Sequence, residues 1–132
     1  MANAKRPPRA RAVRSGVEDH VDHSSQLLKG VLDMCLLSLI AEEPSYGYEM
    51  AAKLEERGLR LVSEGSIYPA LSRLQKSGLV EGYFVETDGS GPPRKYYRIG
   101  NDGRAHLERW TGEWEALSTG VTSVLNGGVG DD

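Results

Sequence analysis

SEGSIYPALSRLQKSGL, residues 63–79, combines an apolar helical stripe with a polar opposite face. Ile67, Leu71 and Leu74 recur at i, i+4 and i+7, which at roughly 100° per residue aligns them on one side of a helix. Gly78 then supplies the left-handed conformation that ends a helix. The opposite face carries no carboxylate, so it suits insertion beside a polyanion. Its side chains are small, hydroxyl-bearing or cationic: Gly65, Ser66, Tyr68, Pro69, Ser72, Arg73 and Lys76.

A β-hairpin is predicted directly after this helix. Residues 80–86 alternate in hydrophobicity, residues 88–93 form a loop rich in Gly and Pro, and RKYYRI at residues 94–99 is a second strand-like run. A helix followed by such a ribbon is the layout of a winged helix-turn-helix, in which residues 63–79 enter the DNA major groove. Arg94, Lys95 and Arg98 would then contact phosphates. The alternative is a solvated charged hairpin.

Pro69 conflicts with a regular helix at this position. If Ser63 is the N-cap, Pro69 removes the backbone bond that would run to Gly65, which costs up to ~3 kcal/mol in a helix interior. We therefore expect an irregular first turn.

Two further helices are predicted before this segment. The first starts at the N-cap Ser25 and has an apolar face broad enough for a central position. The second follows the N-cap Ser45, covers residues 46–57 and ends at Gly58. Its short link to residue 63 forces a steep angle, so a helix-turn-helix is expected within a domain of residues 25–100. The apolar face of the first helix comprises Leu28, Val31, Leu32, Cys35, Leu36, Leu39 and Ile40.

The last predicted helix, residues 101–126 with Asn101 as cap, carries a heptad-like seam. The spacing of its apolar residues is that of the a and d positions of a coiled coil. Because the preceding elements already account for a core, this seam predicts a dimerisation helix. The alternative, packing on its own domain, can coexist with dimerisation. The seam residues are Leu107, Trp110, Trp114, Leu117, Val121 and Val124.

Trp110 and Trp114 also offer a stackable apolar surface for a small molecule, with plain packing as the alternative.

The two termini are predicted to be disordered. Residues 1–24 form a basic arm, either a solvated tail or a segment that follows DNA, and residues 127–132 form a tail.

The net charge of −3 argues against indiscriminate coating of nucleic acid. The sequence has no apolar run approaching the ~20 residues of a membrane span, and its lone cysteine, Cys35, excludes an internal disulfide. A cytoplasmic protein is expected.

Catalytic and cofactor motifs are absent from the sequence. His20, His23 and His106 lie apart from any cluster with metal-ligand spacing. The loop at residues 88–93 has neither the spacing nor the following helix of a phosphate-binding loop. We therefore expect a protein that is not an enzyme and uses no cofactor or metal.

Three segments together resemble the PadR family of bacterial transcriptional regulators, in the branch with a single C-terminal helix. They are PSYGYEMAAKL (44–54), EGSIYPALSRLQKSGLV (64–80) and GPPRKYYRI (91–99), and the resemblance spans residues 27–125. It implies a homodimeric repressor that binds double-stranded DNA at a dyad-symmetric operator and releases it on binding a small ligand. It places Tyr68 and the RKYY strand, including Tyr97, at the DNA surface, and Trp114 beside a ligand site at the dimer interface.

Gly100 and Asn101 depart from the family, which often has a threonine where the last helix begins.

The alternative function is a winged-helix module that binds another regulatory protein through its hairpin or terminal helix.

Overall fold

The structure is a computed structural model that describes residues 9–60, 62–89 and 91–127, with side chains from residue 26 onwards. In this part of the chain there are four helices and three strands. In chain order they are α1 (Arg9–Glu42), β1 (Ser45–Tyr46), α2 (Gly47–Glu56), α3 (Glu64–Lys76), β2 (Val80–Val85), β3 (Arg94–Ile99) and α4 (Asn101–Leu125). The three strands form one antiparallel sheet in the order β1-β3-β2. This confirms the predicted mainly helical fold with a small wing.

The core lies where α1, α2 and α3 meet the inner face of the sheet. Leu36, Leu37 and Ile67 are each 0% exposed. The predicted stripe of α3 is buried as a whole, joined by Ala70. Leu37 is an additional buried residue of α1, so the apolar face of that helix is broader than predicted from the sequence. Cys35 is half-buried, and burial raises the pKa of its thiol.

The first helix begins earlier than predicted. The backbone of residues 9–24, assigned above to an unfolded arm, is helical and continuous with α1, so Ser25 lies inside the helix rather than at its cap. Residues 9–42 contain no proline, and extending an existing helix is far easier than nucleating one. The rest of the predicted arm and residues 128–132 of the predicted tail lie outside the described residues.

Two further predicted caps are wrong, those at Ser45 and Asn101. Ser45 lies in β1, opposite Tyr97 of β3, and its hydroxyl donates to the carbonyl of Glu43 at 3.0 Å. The N-cap of α2 is Tyr46, whose backbone N–H donates to Glu49 Oε1 at 3.3 Å. Asn101 is the first residue of α4, and Gly100 is its N-cap.

The exit from α3 is as predicted. Gly78 has φ of 79°, and the N–H of Leu79 donates to the carbonyl of Leu74 at 3.0 Å. This satisfies a carbonyl at the helix end and turns the chain directly into β2.

Candidate nucleic-acid interface

The outward surface of α3 is polar and exposed. Ile67, Ala70, Leu71 and Leu74 are buried, so the residues between them turn away from the core. The exposed residues of α3 are Glu64, Gly65, Ser66, Tyr68, Pro69, Ser72, Arg73, Gln75 and Lys76.

Helix α3 continues through Pro69 and begins with a tight turn. The helix runs without interruption from Glu64, and the N–H of Ser66 donates to the carbonyl of Ser63 at 3.0 Å, a tight i to i−3 bond. Glu64 therefore lies within the helix, one turn before Tyr68. The prediction that this surface is free of carboxylates is therefore wrong at Glu64, which is exposed.

One flank of α3 carries Tyr68, which packs over the start of α2. A Cβ atom added to Gly47 would lie 2.7 Å from Cε1 of Tyr68, so the ring rests on the glycine backbone. The Tyr68 side chain is nevertheless half exposed. Burial, followed by the negative charge of Glu64, raises the pKa of the Tyr68 phenol, so at neutral pH it is a protonated donor.

The opposite flank carries Arg73, which is bound to α1. Its Nη2 and Nε atoms donate to the two carboxylate oxygens of Asp33 at 2.8 and 3.1 Å. This bond to Asp33 raises the pKa of Arg73 above its ordinary value. Arg73 therefore differs from Ser72 and Lys76, with which the sequence analysis grouped it, because it is held against the side of the domain.

Lys95 of the wing lies beside α3 on the inner face of the sheet. Opposite Tyr97, Gly82 leaves room for the lysine stem, since a Cβ there would lie 2.6 Å from Lys95 Cε and 3.1 Å from Gln75 Oε1. The Lys95 ammonium is 5.5 Å from the centre of the Tyr97 ring. Its positive charge thus lies next to the exposed end of α3.

Tyr97 itself belongs to the core. Its side chain is only 6% exposed, on the strand face that points to the helices. The prediction that Tyr97 lies at the DNA surface does not fit this burial. The alternation of β3 explains it, because Lys95 and Tyr97 share the inner face whereas Arg94, Tyr96 and Arg98 share the outer one.

The outer face of the sheet is a layer of tyrosines covered by arginines. Tyr46 and Tyr96 have ring centres 5.1 Å apart, and Tyr83 lies 6.1 Å beyond Tyr96. The Arg94 guanidinium is 4.7 Å above the Tyr46 ring. Stacking limits the freedom of that guanidinium while its charge stays exposed.

Arg98 is partly neutralised on this same face. It stacks 4.6 Å above Tyr83 and donates from Nε to Glu81 Oε1 at 3.0 Å. Of the three wing cations predicted to hold phosphates, Arg98 thus has a carboxylate partner in the structure.

The seam of α4 divides into two parts. Leu107 and Trp110 are half-buried and pack against the core of the domain. The rest of the seam is exposed: Trp114 to 44%, Leu117 to 61%, Val121 to 47% and Val124 to 78%. The first part of the helix is thus docked on its own domain, and the second part projects from it.

An open groove of about 450 Å³ lies between α1 and the middle of α4. Both tryptophans line it, together with Leu27, Val31, Met34 and Leu117. The structure therefore brings the two residues of the predicted ligand site to one surface.

The described residues were also compared with the requirements of a metal site and of a membrane span. Within residues 26–60, 62–89 and 91–127, no three His, Cys, Asp or Glu side chains converge as metal ligands would. The described helices include none long and apolar enough to cross a membrane. His20 and His23 have side chains outside the described set.

The helix-turn-helix of α2 and α3, followed by a two-stranded wing, defines a winged-helix DNA-binding protein. Residues 36–109 match the family model described as "Transcriptional regulator PadR-like family". The chain belongs to this family, whose members are transcriptional regulators, and it is not an enzyme.

Solved structures of high similarity support this assignment. A PadR-like transcriptional regulator from Bacillus cereus is 47% identical over 76% of this chain and 96% of its own, with a TM-score of 0.65. A PadR family regulator from Eggerthella lenta is 30% identical over 87% of this chain and 96% of its own, with a TM-score of 0.70. An uncharacterized protein of Lysinibacillus sphaericus is 31% identical over 78% of this chain and 95% of its own.

Several residues of this surface were missed by sequence reasoning. Asp33 binds Arg73, the charge of Glu64 acts with burial to raise the pKa of Tyr68, and Tyr46 lies beneath Arg94. A pairing across 40 residues, such as Arg73 with Asp33, leaves no local signal. Tyr46 could have been found only by recognising the two-residue strand β1, which is too short to alternate.

Proposed function

We propose that this protein is a homodimeric, sequence-specific repressor that binds operators with dyad symmetry. The observation that carries the proposal is the exposed polar face of α3 with cations of the wing on either side of the sheet. Ser66, Tyr68, Pro69, Ser72 and Lys76 would face the major groove, where hydroxyl and ammonium donors meet base acceptors.

Lys95 and Arg94 would contact phosphates flanking that groove, Lys95 from the inner face of the wing and Arg94 from its outer face. Such contacts add affinity without sequence preference, because every nucleotide carries the same phosphate. Arg98 and Arg73 would contribute less than the sequence analysis proposed, since each already has a carboxylate partner.

The dimer is supported by the exposed half of the α4 seam. Four large or branched apolar residues on one helix face form a patch of the kind that a second copy covers. Two groove-facing helices related by a dyad would then meet half-sites one DNA turn apart, ~34 Å.

A small planar ligand in the groove between α1 and α4 completes the proposal. Trp110 and Trp114 supply a stacking surface there. A ligand releases DNA only if it binds the arrangement of the dimer that mismatches the operator more tightly, because equal affinity for both arrangements shifts nothing.

Fluorescence anisotropy with the DNA upstream of the protein's own gene, and with a shuffled duplex, tests this assignment. Lys95→Ala should weaken binding to both duplexes and lower the salt slope by about one unit. Tyr68→Ala should reduce the preference for the operator. Arg104→Ala, at an exposed position of α4, is the matched control and should change neither. Equal affinity of the wild type for both duplexes would contradict sequence-specific binding and favour the alternative of a protein-interaction module.

A further inference from the structure

Gly47 lies beneath the side chain that α3 is proposed to present to DNA bases. It is buried at the first position of α2. A Cβ atom placed on it would be 2.7 Å from Cε1 of Tyr68 and 2.9 Å from both Cζ and the phenol oxygen. Real Cβ atoms do not approach other atoms so closely, so the ring can occupy this place only above a glycine.

The backbone of Gly47 gives no other reason for a glycine. Its helical conformation is one that every residue adopts, unlike that of Gly58 or Gly78, where φ is 101° and 79°. Glycine is also a poor helix former compared with alanine. What the position requires is space, and the group that fills the space is the Tyr68 ring.

We propose that Gly47 is a positioning residue for DNA recognition, because it lets the Tyr68 ring lie on the start of α2 and so fixes the place of its half-exposed side chain beside the outer face of α3. This inference rests on the proposed function of Tyr68. A methyl group at position 47 would lift the ring off α2 and move its hydroxyl, and a shift of that size breaks a hydrogen bond to a base edge.

The surroundings of the phenol support a fixed position. Glu64 lies near it from the preceding turn of α3, and its charge contributes to the raised pKa of Tyr68. Tyr97 faces it from the sheet, and burial, followed by the neighbouring Tyr68, raises the pKa of Tyr97. The close approach to Gly47 thus places the phenol oxygen against the start of α2.

A purely packing role for Gly47 predicts different behaviour. In that case Gly47→Ala would lower stability and weaken binding to every duplex to a similar degree. A positioning role predicts a folded protein whose preference for the operator is reduced, because the tip of a tyrosine side chain can move without disturbing the core.

The test uses full-length Gly47→Ala, Tyr68→Ala and the double variant, with Gly112→Ala as a matched control. Affinity for operator and shuffled DNA is measured for each, along with thermal unfolding. We expect both single variants to lower the ratio of the two affinities by about 5- to 50-fold. The double variant should be no worse than Tyr68→Ala alone, because both changes remove the same interaction. Gly112→Ala should leave the ratio unchanged.

A second readout does not depend on DNA. Titration of Tyr68 followed by NMR should show its pKa falling toward the ordinary value in Gly47→Ala, as the ring moves into solvent. If Tyr68→Ala lowers the ratio and Gly47→Ala does not, the positioning role is wrong and the proposed function stands. If Tyr68→Ala leaves the ratio unchanged, the proposed role of Tyr68 fails. The positioning role then fails with it, even where the pKa of Tyr68 responds.

Discussion

Helix α3 and the outer half of α4 each carry an apolar stripe of similar length, yet the two stripes have opposite surroundings. Ile67, Ala70, Leu71 and Leu74 of α3 are at most 1% exposed. On α4 the exposed fractions range from 44% at Trp114 to 78% at Val124. The stripe of α3 is buried by α1, α2 and the sheet of the same chain. Among the described residues, the outer stripe of α4 stays largely exposed, although Trp114 and Leu117 line a groove beside α1. An apolar period therefore identifies a face that needs a partner, but it does not say which chain supplies that partner.

The largest effect is expected from truncating the buried stripe. Leu71→Ala should lower the free energy of unfolding by about 2–5 kcal/mol, because it removes buried surface and leaves a cavity. Leu117→Ala is the matched change on the exposed stripe and should leave the stability of an isolated protomer nearly unchanged. Urea denaturation of both variants measures the difference, and similar losses at low protein concentration would contradict the contrast between the stripes.

Charges on the exposed stripe should act on assembly rather than on folding. Leu117→Glu with Val121→Glu should yield a folded monomer, since two carboxylates buried in an apolar interface would lack compensating partners. Sedimentation of wild type and variant at micromolar concentration tests this. A monomeric wild type would show that the stripe is not a dimer interface.

Two glycines within α4 mark the boundary between its docked and projecting parts. A Cβ atom on Gly103 would overlap the carbonyl oxygen of Leu79 and lie 2.8 Å from Ile99 Cγ1, whereas one on Gly112 would have nothing within 4 Å among the described atoms. Gly103→Ala should therefore destabilise the protein by about 1–3 kcal/mol.

Gly112→Ala should instead be neutral or stabilise by up to about 1 kcal/mol through helix propensity. Thermal unfolding of the two variants compares them directly. The same sign for both would mean that the whole of α4 is in one environment.

The smallest effect is expected at the ion pair between α3 and α1. Both partners are partly exposed, with side chains of Arg73 and Asp33 accessible to 57% and 24%. A double-mutant cycle with Arg73→Ala and Asp33→Ala should give a coupling of about 0.2–1 kcal/mol that declines with salt. A coupling that salt leaves unchanged would show that water is excluded from the pair.

Local sequence patterns were sufficient to predict α3 and the wing. The stripe of α3, the glycine that ends it and the two wing strands follow from period and turn chemistry within short windows. The start of α1 did not, because residues 9–24 offer only the valines Val13, Val17 and Val21 among many charged residues. They continue a helix that is stabilised further along the chain.

The candidate site was harder to predict because its geometry depends on contacts between distant segments. The helical wheel was enough to predict that Ser72 and Lys76 point away from the core. The burial of Tyr97 could not be predicted, because it depends on the register of β3. The ion pair of Arg73 with Asp33 could not be predicted either, because it depends on the packing of α1 on α3. The prediction of Tyr97 failed because resemblance identified the strand without its inward and outward faces.

Gly100 is the single residue between β3 and α4, and its N–H donates to the carbonyl of Leu79 at 2.9 Å. The DNA-binding unit and the projecting helix are therefore joined without a flexible spacer. We expect them to move as one rigid body. A helix of this length measures about 37 Å at 1.5 Å per residue, so pivoting it by roughly 5° at its far end displaces the near end by about 3 Å. In a dimer joined through that end, small rotations at the joint would be magnified at the DNA and would change the distance between the two groove-facing helices.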